Sequence, residues 1–114
     1  MLTVESLKEF GADTEEGIRR CTGNADFYLR LVKMMPADKN FPKLYSSLES
    51  GDLEGAFQAA HALKGSLGNL SLTPLYEIVN DLTEELRPRK AFDWSAKVAE
   101  LKKRGEEFEK LCRD

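Results

Sequence analysis

The sequence is poor in the residues that build metal sites and disulfide scaffolds. Its 114 residues contain two cysteines and one histidine. Cys21 and Cys112 lie far apart and form no CxxC pair, so we interpret both as small buried hydrophobes in a reducing compartment. A lone histidine cannot supply a histidine-rich metal site, and no metal is expected.

Long apolar runs and an excess of positive charge are also missing. No segment approaches the roughly 20 apolar residues needed to cross a bilayer, and the start MLTVESLKEF lacks the basic region and apolar core of a signal peptide. The formal net charge of -3 provides no overall attraction to nucleic acid or to an anionic membrane. These absences predict a cytoplasmic protein with neither nucleic acid nor a membrane as its partner.

Alternation with period two is absent too, whereas apolar residues recur at spacings of three and four along almost the whole chain. This pattern predicts an all-α fold. A chain of 114 residues, 41% hydrophobic and 32% charged, is long enough for one modest core. We therefore expect residues 1–114 to form a single helical-bundle domain.

Capping residues divide the chain into two short and four long helical segments. Short helices are expected after Thr3 and after Asp13, which is spaced from Glu16 like a capping box. Gly51 and Asp52 form a turn between the first two long arms. The arms carry apolar stripes over residues 27–48, 53–70, 75–86 and 94–112. Joined by short connections, they predict an antiparallel up-down four-helix bundle capped by the short helices.

The first arm contains prolines but keeps its apolar register. Its stripe consists of Phe27, Leu31, Met34, Phe41, Tyr45 and Leu48. Because only Asp38 interrupts this stripe, we expect one long arm bent at Pro36 and Pro42 rather than two helices at a sharp angle. Thr73 and Pro74 are expected to cap and open the third arm.

The only histidine, His61, lies on the second arm within the segment AAHALKGSLGNL. At 100° per residue it falls at the edge of the apolar arc, with Lys64, Gly65 and Gly68 on the same side. Each glycine inside a helix costs about 1 kcal/mol relative to alanine, which is understandable if the missing side chains expose the ring to another protein. A neutral imidazole can capture a phosphoryl group through one ring nitrogen, and Lys64 can neutralise an anion there.

The same residues also have structural interpretations. A lone histidine at a core boundary is most often structural, Gly68 can permit close helix packing, and Lys64 can be a surface residue whose stem covers apolar groups. Leu53 and Phe57, near the histidine's side of the arc, are either docking contacts or core residues. The basic clusters at 87–90 and 102–104 either contact an acidic partner or face solvent.

Signatures of nucleotide binding and hydrolysis are absent. The sequence has no GxxxxGK[ST] loop and no GxGxxG turn, so we expect no cofactor and no ATP-dependent activity of its own. It also lacks a GxSxG elbow, and Ser66 is too near His61 along the helix to form a hydrolytic triad. The histidine would therefore need a phosphorylated donor.

The stretch HALKGSLGNL resembles the phosphoacceptor helix of histidine-containing phosphotransfer (HPt) domains, whose signature is His, any residue, an aliphatic residue, Lys, Gly. His61, Leu63, Lys64 and Gly65 match it. The resemblance extends upstream through GIRRCTGNADFYLRLVKMM and downstream into the next arm. It implies a four-helix bundle that presents the histidine on its surface and exchanges a phosphoryl group with receiver-domain aspartates.

Carried over by position, the resemblance implies that His61 is the phosphoacceptor, Lys64 stabilises the phosphoryl group, and Gly65 and Gly68 provide steric clearance. The implied partners are receiver domains of response regulators and hybrid histidine kinases, which would supply magnesium and carboxylates; a monomer suffices. Ten residues after the histidine the family usually has glycine, whereas this chain has Ser71, where we expect a local adjustment. That departure leaves an alternative open, a non-phosphorylated helical scaffold that binds signalling partners.

Overall fold

Helices make up most of the chain. The computed structural model describes residues 1–113, and within that range it contains seven α-helices, one 3-10 turn and no strand, which confirms the all-α prediction. The helices are α1 (Val4–Phe10), α2 (Thr14–Arg20), α3 (Ala25–Met34), α4 (Asn40–Ser50), α5 (Leu53–Asn69), α6 (Thr73–Leu86) and α7 (Ser95–Arg113). The 3-10 turn, Met35–Ala37, lies between α3 and α4. None of these helices is both long enough and apolar enough to span a bilayer.

The helical bundle is closed by packing between helices that are consecutive in the sequence and by packing of its last helix against the segment before α4. Helix α5 packs against α4 on one side and α6 on the other, and α6 also packs against α7. Helix α3 and the 3-10 turn contact α7, which completes the ring. One continuous core runs through it, with fully buried Leu7, Tyr28, Leu44, Leu63, Leu82 and Leu101. The predicted helical bundle with two short N-terminal helices is thereby confirmed, except that two helices, α3 and α4, make up its first arm.

Side-chain caps begin the helices where the sequence indicates. Thr3, Asp13, Asn24 and Asp52 each accept a hydrogen bond from the backbone N–H three residues later. The capping box predicted at α2 is only half formed, because the Glu16 carboxylate pairs with Arg19 and Arg20 instead of the Asp13 N–H. That N–H donates to the carbonyl of Ser71 at 3.0 Å, which ties α2 to the end of α5.

The prediction that the first arm, with its stripe over residues 27–48, is one continuous bent helix is wrong. Helix α3 ends at Met34, and after the 3-10 turn Asp38 adopts an extended conformation with φ -62° and ψ 126°. Its carboxylate accepts a hydrogen bond from the Asn40 N–H at 2.8 Å, so the chain stops and restarts as a second helix. Pro36 lies in the 3-10 turn, whereas Pro42 falls in the first turn of α4, where its missing N–H removes no helical hydrogen bond.

The stripe predicted for α3 is displaced by one position. Phe27 and Met34 are 38% and 68% exposed, whereas their neighbours Tyr28 and Met35 are buried. The Tyr28 hydroxyl donates to the carbonyl of Leu70 at 2.8 Å, and this partner allows the tyrosine to replace the phenylalanine in the core. Burial raises the pKa of Tyr28 to about 12.

Two smaller expectations have different outcomes. Helix α6 begins one residue earlier than predicted, with Leu72 at the N-cap, and the Thr73 hydroxyl donates to the Ser71 carbonyl at 3.4 Å rather than capping the helix. Cys21 and Cys112 are both buried free thiols, as predicted. Burial also raises the pKa of Cys112 to about 11, which keeps the thiol protonated and unreactive.

Candidate functional site

His61 lies in the middle of α5 with an exposed side chain. The opposite side of this helix faces the core through its buried residues Ala56, Ala59, Ala60, Leu63 and Leu67. Because α4 and α6 pack against α5 from two sides, the helix is fixed in orientation. The sector that carries His61 therefore points outward from a rigid support.

An open surface cavity of about 610 Å³ lies beside His61. The four residues predicted as a site all line it: His61, Lys64, Gly65 and Gly68. It is also lined by Arg20 of α2 and by Tyr76 of α6. Asp13 and Glu77 are also at its edge, although within residues 1–113 no three His, Cys, Asp or Glu side chains are grouped closely enough to hold a metal ion. The structure thus brings the four predicted residues together around one concave surface.

The two glycines of the site have different surroundings. A Cβ added at Gly65 would meet no atom within 4 Å, so nothing inside this chain requires glycine there. A Cβ added at Gly68 would lie 3.1 Å from Cε1 of Tyr76, closer than ordinary packing allows. Packing against Tyr76 within the bundle therefore explains a glycine at position 68. No contact within residues 1–113 explains a glycine at position 65, so any explanation lies in contact with another molecule.

Lys64 is half-buried on the same side of α5, and in the described part of the chain it forms no ion pair. Its charge still acts on α6: the pKa of the Glu84 carboxyl is lowered chiefly by a hydrogen bond from Arg87, and to a smaller degree by Lys64. Lys64 therefore lines the same cavity as the exposed imidazole without being committed to a carboxylate partner.

Sequence reasoning missed a stack of side chains that ends on the histidine. The ring of Phe57 lies 5.8 Å from the ring of His61, centroid to centroid, with the two planes inclined by 16°. The guanidinium of Arg89, in the loop between α6 and α7, lies 3.8 Å from the centroid of Phe57, and that of Arg87 lies 5.4 Å away. The i to i+4 spacing of Phe57 and His61 is the signal that predicts their contact.

The family comparison agrees with this geometry. A family model described as Hpt domain matches residues 35–112, which is more than half of the chain. The chain belongs to the Hpt family. Hpt domains are phosphocarriers rather than enzymes in themselves, and they interact with receiver domains of two-component systems, so the chain takes part in phosphorelay signalling. No curated protein and no solved structure gives a significant match.

The matched part of this Hpt chain includes the whole of α4, α5 and α6 and most of α7, and therefore the entire candidate site on α5. The resemblance noted upstream of residue 35 lies outside the match and stays a prediction. Helices α1 and α2 nevertheless pack on the same core, and Arg20 of α2 reaches the cavity beside His61.

Ser71, where Hpt domains usually have glycine, closes α5 with a left-handed backbone. Its φ is 53°, a region that most side chains avoid at a cost of roughly 1–2 kcal/mol. The Ser71 N–H donates to the carbonyl of Gly68 at 3.1 Å, and the next N–H, of Leu72, donates to Leu67 at 3.0 Å. The position thus needs a left-handed residue for a backbone reason, and serine accepts that conformation under strain.

Proposed function

We propose that this Hpt chain is a cytoplasmic phosphorelay carrier, folded as one domain over residues 1–114. His61 takes a phosphoryl group from the aspartate of one receiver domain and passes it to the aspartate of another. The observation that carries the proposal is an exposed imidazole, the only one in the chain, beside a glycine whose missing side chain has no neighbour within 4 Å. That arrangement suits a group that must be reached by another protein.

The transfer is a displacement at phosphorus. The lone pair of one ring nitrogen of neutral His61 forms a bond to phosphorus, and the bond from phosphorus to the aspartyl oxygen breaks. The aspartate leaves as a carboxylate, while the ring becomes a phosphorylated imidazolium whose other nitrogen keeps its proton. Passing the group to a second receiver reverses these bond changes, so no outside energy source is required.

The neighbouring residues act on charge and access. The transition state spreads negative charge over the phosphoryl oxygens, and the uncommitted ammonium of Lys64 stabilises that charge. Gly65 gives the receiver's backbone room to approach. Gly68 leaves the same side of the helix free of a protruding side chain and also accommodates Tyr76. Magnesium and the acidic groups that bind it come from the receiver, and a monomer of the Hpt chain is sufficient.

A second candidate function is a scaffold that binds receivers without being phosphorylated. The observation that favours it is the strained serine at position 71, with φ 53°, where the family usually has glycine. If that strain shifts the end of α5, the ring could lie too far from an approaching acyl phosphate. The scaffold and the carrier share the same docking surface and differ only in the chemistry of His61.

The test incubates the Hpt chain with receivers that carry a radioactive aspartyl phosphate. We expect the chain to acquire a label that is lost in acid and retained in base, as a phosphorylated histidine requires, and His61→Gln to acquire none. Transfer of that label to a second, unlabelled receiver demonstrates the relay. Wild-type protein that binds receivers but stays unlabelled across a broad panel would support the scaffold instead.

A further inference from the structure

We propose that Phe57 and Arg89 are positioning residues for the phosphoacceptor. Arg89, fixed to α5 through Glu54, holds the ring of Phe57 in place, and Phe57 in turn limits the orientations of the His61 imidazole. The inference rests on the proposed function, because it concerns how efficiently the ring attacks phosphorus. It makes the loop between α6 and α7 part of the functional site.

Phe57 is placed to act on the histidine by helix geometry alone. It lies one turn before His61, and long side chains on a helix lean toward its N-terminus, so the imidazole leans toward the phenyl ring. The near-parallel planes, inclined by 16° with centroids 5.8 Å apart, correspond to an offset stack. An exposed histidine without such a neighbour samples several rotamers, and the stack favours one of them.

Arg89 is the anchor of Phe57. Its Cζ lies 3.8 Å from the phenyl centroid, which is contact distance for a cation on an aromatic face. Its Nε donates to Oε2 of Glu54 at 2.6 Å, and its Nη1 donates to the carbonyl of Arg87 at 2.7 Å. The side chain therefore connects α5 to the loop after α6, and it lowers the pKa of the Glu54 carboxyl.

The backbone at Arg89 is held in an unfavourable conformation. Its φ of 53° is left-handed, a region that disfavours residues with a Cβ. The Arg89 N–H donates to the carbonyl of Leu86 at 2.9 Å, and together with the two side-chain hydrogen bonds this keeps the loop in place. Strained residues that are fixed by several contacts are characteristic of functional sites.

The geometry favours a positioning role over a docking contact for Phe57. The phenyl ring is half-buried, and the guanidinium of Arg89 covers part of the surface that a receiver would have to reach. Its neighbour along the helix, the imidazole, is the exposed ring. Since attack on phosphorus requires a nitrogen aligned with the bond that breaks, restricting the ring raises the fraction of complexes that are ready to react.

The experiment compares Phe57→Leu and Arg89→Gly with the wild-type Hpt chain. Leucine keeps an apolar side chain at position 57 but removes the ring, and glycine removes the anchor while accepting the left-handed φ at position 89. The matched control is Phe27→Leu on α3, where the ring also carries an arginine, with the Cζ of Arg30 at 5.8 Å from its centroid. Thermal unfolding establishes that each variant is folded.

Two readouts are needed. In single-turnover transfer from a phosphorylated receiver, we expect the limiting rate constant of both variants to fall about tenfold, with the receiver concentration at half-maximal rate changed less than about twofold. In NMR spectra the single histidine gives one set of imidazole signals, and we expect these to move in Phe57→Leu and Arg89→Gly as the phenyl ring current is lost or displaced. Phe27→Leu should change neither readout.

Several results would overturn the inference. Limiting rate constants equal to that of the wild type in both folded variants would remove the positioning role. A higher receiver concentration at half-maximal rate, with an unchanged limiting rate constant, would make Phe57 a docking contact. Unmoved imidazole signals in Phe57→Leu would show that the stack is not formed. In each of these cases the wild-type protein still acquires the phosphoryl label on His61. A wild-type protein that acquires no label overturns the proposed function itself.

Discussion

Gly65→Ala should make the protein more stable and less active at the same time. The glycine lies in the interior of α5, four residues after His61, and the residue is exposed. A Cβ added there meets no atom within 4 Å, so the methyl group of alanine enters open space rather than the packed bundle. The substitution therefore separates what the chain needs for folding from what a docking receiver needs.

The expected gain in stability follows from helix propensity. Alanine in an exposed helix interior is favoured over glycine by about 1 kcal/mol, because glycine loses more backbone freedom on folding. For a domain of this size, that gain raises the melting temperature by about 4 °C. Gly68→Ala should gain less, since its new Cβ would lie 3.1 Å from Tyr76 and the tyrosine ring would have to shift.

The expected loss of activity follows from access. A methyl group beside the imidazole occupies the space through which the receiver's backbone approaches. We expect the second-order rate constant for phosphoryl transfer to fall about tenfold, which corresponds to about 1.4 kcal/mol. Gly105→Ala is the matched control, because that glycine is also in a helix interior with no atom within 4 Å of an added Cβ, but on α7. It should gain similar stability and keep full transfer.

The assays are thermal unfolding and initial rates of transfer from a phosphorylated receiver. A Gly65→Ala protein that transfers as fast as the wild type would refute the clearance role. A Gly65→Ala protein that melts earlier than the wild type would refute the assignment of open space around this position. Equal loss of transfer in Gly105→Ala would show that rigidity of the helices, and not access to the imidazole, limits the reaction.

Three further predictions concern stability. Ser71→Gly removes the strain of a left-handed serine, and urea unfolding should show a gain of about 0.5–1 kcal/mol; no gain would mean that the strain is negligible. Tyr28→Phe leaves the Leu70 carbonyl without its partner and should lower the free energy of unfolding by about 1–3 kcal/mol. Because the folded-state pKa of Tyr28 is raised to about 12, the wild type should also become less stable as the pH rises from 10 toward 12. The variant should lose less stability than the wild type over the same pH range. Gly17→Ala drives a methyl group into the Tyr28 ring and should lose about 1–3 kcal/mol in the same assay; an unchanged midpoint would show that the ring moves freely.

Local signals in the sequence are sufficient for much of the fold. The N-caps at Asn24 and Asp52 and the glycine stop at Gly51 depend on residues within one helical turn, so they can be recognised without tertiary information. The break at Asp38 cannot be recognised in this way, because the apolar spacing across the end of α3 and the start of α4 stays close to that of a continuous helix. The burial of Tyr28 instead of Phe27 depends on a partner 42 residues away.

The candidate site divides in the same way. His61, Lys64 and Gly65 share one side of a single helix, so their spacing alone brings them together. The anchor of Phe57 by Arg89 joins α5 to a loop that follows a different helix, and no spacing in the sequence indicates that the two meet. Short-range periodicity therefore locates the reactive ring, while the groups that fix its orientation become visible only once the chain is folded.

The most direct measurement of the central claim is the NMR spectrum of the imidazole nitrogens before and after addition of a phosphorylated receiver. The chain has one histidine, so the signals belong to His61 without further assignment. We predict that one ring nitrogen shifts and is split by coupling to phosphorus, and that both changes disappear when an unphosphorylated acceptor receiver is added. Unchanged imidazole signals in a protein that has acquired phosphate on another residue would contradict the account.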